Sequence, residues 1–248
     1  DGFSDDSLLS PRIAFNYEFS PSLRFSATTG VFYESPRNLA RALDPANFGL
    51  KNEKLTHIGA GLDFRIGENL NLLVDAYSQR IDERLVEGSR VSGEISNDGR
   101  GSNRGVDLVL TRAFDNGFAA DFVYSWNQYR VDDNDGRGEY DWDFNRVHFA
   151  ALGGRWELNE RWQIAARWRY GSGQPGERFI THDDVLAPDL PVRFSKEITE
   201  TNVGRGEAFN ALDFRVDYRR PIGRLDLVLF LDVLNLNGGP AGLPDEFN

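Results

Sequence analysis

The chain has 248 residues, a formal net charge of -11 and no cysteine, which excludes a disulfide framework, a thiolate metal site and the basic face that nucleic acid demands. A mean hydropathy of -0.48 with 27% charged residues leaves no run of ~20 apolar residues for a membrane helix. Aromatic residues at 12% and 25 glycines against 10 prolines argue against disorder and for β-structure rich in turns.

The first residues, DGFSDDSLLSPRIAF, carry neither a basic nor an apolar leader region, so no signal peptide is expected within them. From there on the period-two alternation of a half-buried strand recurs to the end of the chain. Ile13, Phe15, Tyr17 and Phe19 form one stripe, and Leu23, Phe25, Ala27, Thr29 and Val31 the next. Ile58, Ala60, Leu62 and Phe64 follow, then Leu70, Leu72, Val74 and Ala76. Val106, Leu108 and Leu110 precede Phe118, Ala120, Phe122, Tyr124 and Trp126. The faces of the segment from Arg146 to Trp156 are blurred by Gly153 and Gly154. Trp162, Ile164, Ala166, Trp168 and Tyr170 restore a clean stripe, then Leu212, Phe214, Val216 and Tyr218, and last Leu225 to Val233. This predicts about ten strands, most about 9–11 residues long, the length a tilted strand needs to cross a bilayer.

The connections discriminate better than the strands. Short turns are predicted at Ser20-Pro21-Ser22, Ile66-Gly67-Glu68-Asn69, Asp115-Asn116-Gly117, Leu158-Asn159-Glu160-Arg161 and Pro221-Ile222-Gly223-Arg224. Between them lie long polar stretches at roughly 34–54, 87–103, 132–145 and 176–210. Strict alternation of short and long is the mark of an antiparallel transmembrane β-barrel, with tight periplasmic turns and long external loops. A propeller repeats in fours, and a soluble sandwich lacks this asymmetry. The face opposite the apolar stripes carries Asp63, Arg65, Asp75, Asp107, Asp121, Arg167, Arg169, Asp213, Arg215 and Asp217. In a dry core each of these charges would be costly unless paired, whereas a wet or plugged lumen removes the cost.

Several stretches carry a family likeness: VFYESPRNL; NFGLKNEKLTHIGAGLDFRIGENLNLLVDAYSQRID; GRGSNRGVDLVLTRAF; DWDFNRVHFAALGGRWEL with WQIAARWRYGSGQP; and ALDFRVDYRR with LDLVLFLDVLNL. In their order and spacing they resemble the C-terminal part of the barrel of TonB-dependent outer-membrane receptors. Two departures stand out. Asn52 replaces the family's usual proline, and Val147 separates Arg146 from His148 in its "D-x-R-H" motif. The resemblance covers nearly all of residues 1–248. It implies a barrel of about 22 strands with a plugged lumen, of which the plug domain and the last strand would lie outside this sequence. A self-closing ten-strand barrel is the other topology that an even strand number allows.

By that resemblance the chain is an outer-membrane receptor for energised uptake of a bulky, scarce nutrient such as a siderophore, cobalamin or glycan. Its partners would be outer-membrane lipid and lipopolysaccharide, its own plug, the TonB complex and a small-molecule or glycan ligand, with no nucleic acid, no cofactor and no metal. Two other classes remain open: a passive porin, and an outer-membrane hydrolase with acidic and histidine residues at the rim. Candidate ligand contacts are Tyr140 and Trp142 in the acidic loop from Asp132 to Asp143, and the inward-projecting Arg167 and Arg169. His57 and His148 are expected as polar rim residues, and His182-Asp183-Asp184 as part of the longest loop. Asp132-Asp133-Asn134-Asp135-Gly136 fails the calcium-loop pattern because Gly136 occupies a ligand position.

Overall fold

The computed structural model describes residues 8–36, 44–87, 94–184 and 193–239. Among the described residues thirteen strands follow in chain order: β1 (Arg12–Ser20), β2 (Leu23–Glu34), β3 (Glu53–Ile66), β4 (Leu70–Glu87), β5 (Ile95–Ala113), β6 (Phe118–Asp132), β7 (Tyr140–Asp141), β8 (His148–Glu157), β9 (Trp162–Gly171), β10 (Pro175–Asp184), β11 (Arg193–Arg205), β12 (Phe209–Ile222) and β13 (Leu225–Val233). A 3-10 turn at Pro45–Gly49 is capped by Asp44, whose carboxylate accepts from the Ala46 N–H at 2.7 Å. The ten predicted strands form one antiparallel meander in the order β1-β2-β3-β4-β5-β6-β8-β9-β12-β13. The short β7 pairs with the top of β6, and β10 and β11 form a separate two-stranded hairpin. Among the described residues β1 pairs only with β2, and β13 only with β12, so the sheet is an open wall and not a self-closed ten-strand barrel.

Register makes the two faces continuous. Tyr17, Phe25, Leu62, Val74, Leu108, Tyr124, Ala150 and Tyr170 are successive cross-strand partners from β1 to β9. Leu152, Trp168 and Leu212 carry the same face onward to β12. The wall is one sheet thick, so it has almost no core: the buried apolar side chains among the described residues are Val131, Ala151 and Ala211. Ile13, Phe15, Ile58, Leu152, Leu229 and Leu231 are instead more than half exposed. A contiguous apolar face of this size is stable only against lipid.

Aromatic side chains gather at both ends of that face. Trp162 and Tyr218 have ring centroids 4.7 Å apart, Phe114 and Phe118 5.4 Å apart, and the Trp156 indole donates to the Asn116 carbonyl at 3.2 Å, all on the short-turn side. On the long-loop side Trp168 donates to Asn210 at 2.8 Å. Rings with a polar tip suit the headgroup level. The short turns follow their residues. Gly67, Gly117 and Gly223 hold φ of 64°, 78° and 64°, and the Asn159 side chain accepts from the N–H of Arg161 and Trp162.

Two features differ from the sequence-based expectation. β4, β5 and β6 run to 18, 19 and 15 residues, beyond the membrane-crossing length. The stretch 176–210, expected as a polar loop, contains the β10–β11 hairpin. Both extensions lie where water wets both faces, so backbone pairing continues while hydropathic alternation no longer reports it.

Gly105 exemplifies the close packing of the inner face. Tyr77 crosses it so that the Asn127 amide donates to the Tyr77 hydroxyl at 2.7 Å, and an added Cβ would lie 2.5 Å from that hydroxyl and 2.7 Å from the Trp126 carbonyl oxygen. Gly105→Val is expected to cost about 1–3 kcal/mol by overpacking, read as a lower unfolding temperature of the detergent-solubilised protein.

Candidate functional site

The inner face carries a hydrogen-bonded chain of polar side chains across five strands. Thr28 Oγ1 lies 3.2 Å from His57 Nε2, and Gln79 Nε2 lies 3.4 Å from His57 Nδ1. Asn103 donates to Gln79 Oε1 at 2.9 Å, and Asn127 donates to Asn103 Oδ1 at 2.9 Å and to Tyr77 at 2.7 Å. His57 is thus a member of the inner wall, well inside β3, and not a residue of the strand's rim. His148 begins β8 on the opposite, lipid-side face, where its Nδ1 lies 2.9 Å from the Tyr124 hydroxyl. The side chain of His182 lies outside the described residues.

Above the chain is a mouth built from the loop after β6. Tyr140 pairs with Val131, and the Trp142 N–H bonds the Tyr129 carbonyl at 3.0 Å, so both candidate aromatics fall on the inner face. The Trp142 ring packs against Tyr129 at 4.8 Å and Phe144 at 5.0 Å. The loop is held by Asp133, whose carboxylate receives Arg84 Nη1 at 2.6 Å and the Tyr140 hydroxyl at 2.6 Å. Arg84 and Asp133 are 19% and 12% exposed, enough burial for their pairing to matter. Arg205, at the root of the β10–β11 hairpin, bonds Asp141 and the carbonyls of Asn145 and Gly173, tying the two loops together. Asn145 is buried, and its Nδ2 has no hydrogen-bond partner among the described residues.

The loop acids serve the loop's own fold. Asp132 accepts from the Asn134 N–H, and Asp135 from the Arg137 N–H and guanidinium. The Arg137 backbone bond is the largest influence holding the Asp135 carboxyl below the usual carboxylate range. Burial, and then the bond to Asp133, pushes the Tyr140 phenol well above the ordinary tyrosine value. The sign follows: the neutral phenol is favoured in the folded loop. Stability from this bond is fully present below pH ~10 and is lost as the pH rises through the raised value. The phenolate absorbance difference between the protein and Tyr140→Phe is expected to appear only at a pH above that of free tyrosine. Titration of Tyr140 at the free value would contradict this.

The two candidate arginines face inward from β9 but play different parts. Arg169 pairs with Asp213 at 2.6 Å and lies over the Phe209 ring at 5.6 Å. Arg167, beside Gly153 and Asp213 in the register, has no ion pair or hydrogen bond among the described residues and is exposed to the lumen. The structure therefore joins Tyr140 and Trp142 in one mouth and sets Arg167 and Arg169 on the same inner face, on β9. Arg84, Asp133, Tyr129 and Arg205 escape sequence reasoning because each acts through a partner 13 or more positions away in the chain. The one available signal is the alternation of β6, which places Tyr129 and Val131 inward.

Against known proteins, the sequence model described as "TonB dependent receptor-like, beta-barrel" matches residues 1–236. No curated protein sequence matches the chain. Among solved structures, the ferric citrate transporter FecA in unliganded form aligns over 92% of this chain with a TM-score of 0.69 and 14% identity. The FrpB iron transporter from Neisseria meningitidis, in an apoprotein form, aligns over 93% with 0.68 and 17%, and the copper transporter OprC over 92% with 0.66 and 17%. At these identities the likeness is one of fold. The chain spans 33% to 35% of those three structures. The neighbours are transporters and not enzymes, and their alignment falls on the barrel wall. The chain belongs to the TonB-dependent receptor family and is part of its outer-membrane β-barrel.

Proposed function

We propose that this chain is part of the barrel of a receptor that takes up a bulky, scarce nutrient across the outer membrane with energy supplied through TonB. The ligand class is that of siderophores, cobalamin or glycans. A plug domain fills the lumen, and external loops together with inner-wall side chains bind the ligand. The observation that carries this reading is the division of one continuous sheet into a lipid face and a wet inner face that rises to the aromatic mouth of Tyr129, Tyr140 and Trp142. Arg167, with donors uncommitted among the described residues, supports contact with an anionic ligand or with the plug. Arg169 and Tyr140 act behind it, as residues already bonded to Asp213 and Asp133.

Cells carrying the full-length receptor, compared with cells lacking it, are tested for accumulation of labelled ferric citrate, a ferric catecholate, cyanocobalamin and a maltooligosaccharide. Receptor-dependent accumulation of one of these, abolished by a protonophore, is the expected result. Receptor-dependent passage of small solutes that a protonophore leaves untouched would overturn the reading in favour of a passive channel. No receptor-dependent accumulation of any probe would overturn the ligand classes named.

A further inference from the structure

Strand β4 does not keep its alternation to the end. From Leu70 to Asp82 its even-numbered side chains face outward, and Arg80 Nε donates to Asp82 along that face at 2.9 Å. Continued, the same period would turn Arg84 outward as well. Pairing with β5 breaks first. Ile81 lies opposite Gly101 and Arg84 opposite Gly99, so three steps on β4 span two on β5. The extra residue makes a bulge. Within it Glu83 has a left-handed φ of 57°, a conformation that costs a residue with a Cβ and suits glycine. Gly101 and Gly99 are two apart and share the inner face, so Arg84 points inward, where its Nη1 meets Asp133 at 2.6 Å.

Neighbouring residues hold the bulge in place. Asn97 donates from Nδ2 to the Glu83 carbonyl at 2.8 Å and to the Lys51 carbonyl at 3.1 Å, and its Oδ1 accepts from the Lys51 N–H at 2.7 Å. Glu53 accepts from the Leu85 N–H at 2.7 Å. Lys51 Nζ lies 3.3 Å from both Glu83 carboxylate oxygens, an exposed pair that adds little. Gly99 is buried, and a Cβ there would lie 2.5 Å from Val86 Cγ2 and 3.0 Å from the Arg84 carbonyl oxygen. Between Gly99 and Ser96, β5 takes an extra residue of its own, and pairing resumes with Val86 opposite Ser96. The segment before β3, the end of β4 and the start of β5 thus converge on one backbone irregularity, and a strained residue persists where its surroundings over-determine it.

We infer that Glu83 is a positioning residue of the mouth: its left-handed bulge carries Arg84 from the outer face of the wall to the inner one, where Arg84 holds Asp133 and through it Tyr140 and Trp142. The contribution of Glu83 is its backbone conformation and not its carboxylate. The consequence for uptake rests on the proposed role of the mouth in ligand capture, whereas the placement of Arg84 does not.

The test uses the full-length receptor in detergent, with Trp142 emission read as the difference from the matching Trp142→Phe protein. Glu83→Val, a β-branched residue that resists positive φ, is expected to shift that emission to the red, as Arg84→Gln does. Glu83→Gly, which takes the same φ freely, is expected to keep the wild-type spectrum although the carboxylate is lost. Glu83→Val in an Arg84→Gln background is expected to add nothing. An unshifted Glu83→Val would overturn the inference, as would a shift of full size in the Arg84→Gln background or a Glu83→Gly protein shifted as far as Glu83→Val. If Glu83→Val does not fold, Asn97→Ala, which removes the bonds to the Glu83 and Lys51 carbonyls, takes its place in both backgrounds. In cells, the half-saturation of uptake for whichever labelled probe accumulates is expected to rise about fivefold in Glu83→Val with the maximal rate kept, and to stay normal in Glu83→Gly. An unchanged half-saturation beside a shifted emission would overturn the link to capture. If no probe accumulates, the proposed function fails, and the emission series still decides whether Glu83 places Arg84.

Discussion

Leu108→Arg is expected to destabilise the barrel by about 2–4 kcal/mol, the cost of a cation on the lipid face near the bilayer midplane. Leu108 sits between Val74 and Tyr124 in the unbroken apolar row. Thr111→Arg, three residues further along the same strand, is expected to change stability by less than about 0.5 kcal/mol. Thr111 faces the lumen opposite Asn71 and beside Asp121, so the new cation meets water and a carboxylate. Urea unfolding of the full-length receptor in detergent micelles measures both. Equal effects at the two positions would refute the assignment of faces, because the two substitutions differ in which side of the sheet they load.

Asp133→Asn is expected to release the external loop at a cost of about 3 kcal/mol, as removal of one partner leaves the half-hidden Arg84 cation without its counter-charge. The same substitution reduces the Tyr140 bond from a charge-assisted to a neutral one, and so loosens the strand pair that holds Trp142 against Tyr129. Trp142 emission is expected to shift to the red, and the loop to become sensitive to protease. Asp135→Asn is the contrast. Its partner Arg137 lies two residues away in the same turn and the pair is exposed, so a change within about 0.5 kcal/mol is expected. An Asp133→Asn protein whose Trp142 emission stayed unshifted would show that the mouth is held by the β6–β7 backbone bonds alone.

The two substitutions act at different distances from what a reader of the sequence can see. The loss at Leu108 is legible from alternation alone. That at Asp133 is not, because Arg84 stands 49 positions earlier and nothing local distinguishes Asp133 from its neighbours Asp132 and Asp135. The same holds for Arg167 and Arg169. Alternation places both inward, but pairing between β9 and β12, across the whole β10–β11 excursion, sets Asp213 opposite Arg167 and diagonal to Arg169, and it is Arg169 that takes the ion pair.

The sequence by itself determined the all-β class, the ten wall strands, the alternation of short turns with long loops, and which side of every wall strand but β8 meets lipid; at β8 Gly153 and Gly154 blur the faces, and register decided them. It could do so because side-chain direction in a strand has a period of two and a bilayer imposes that period on hydropathy. Tertiary structure alone decided how far β4 to β6 extend past the membrane, that a hairpin stands within the longest loop, and which charges are paired. Outside the bilayer both faces are wet, so the period vanishes from the sequence while the backbone hydrogen bonds persist.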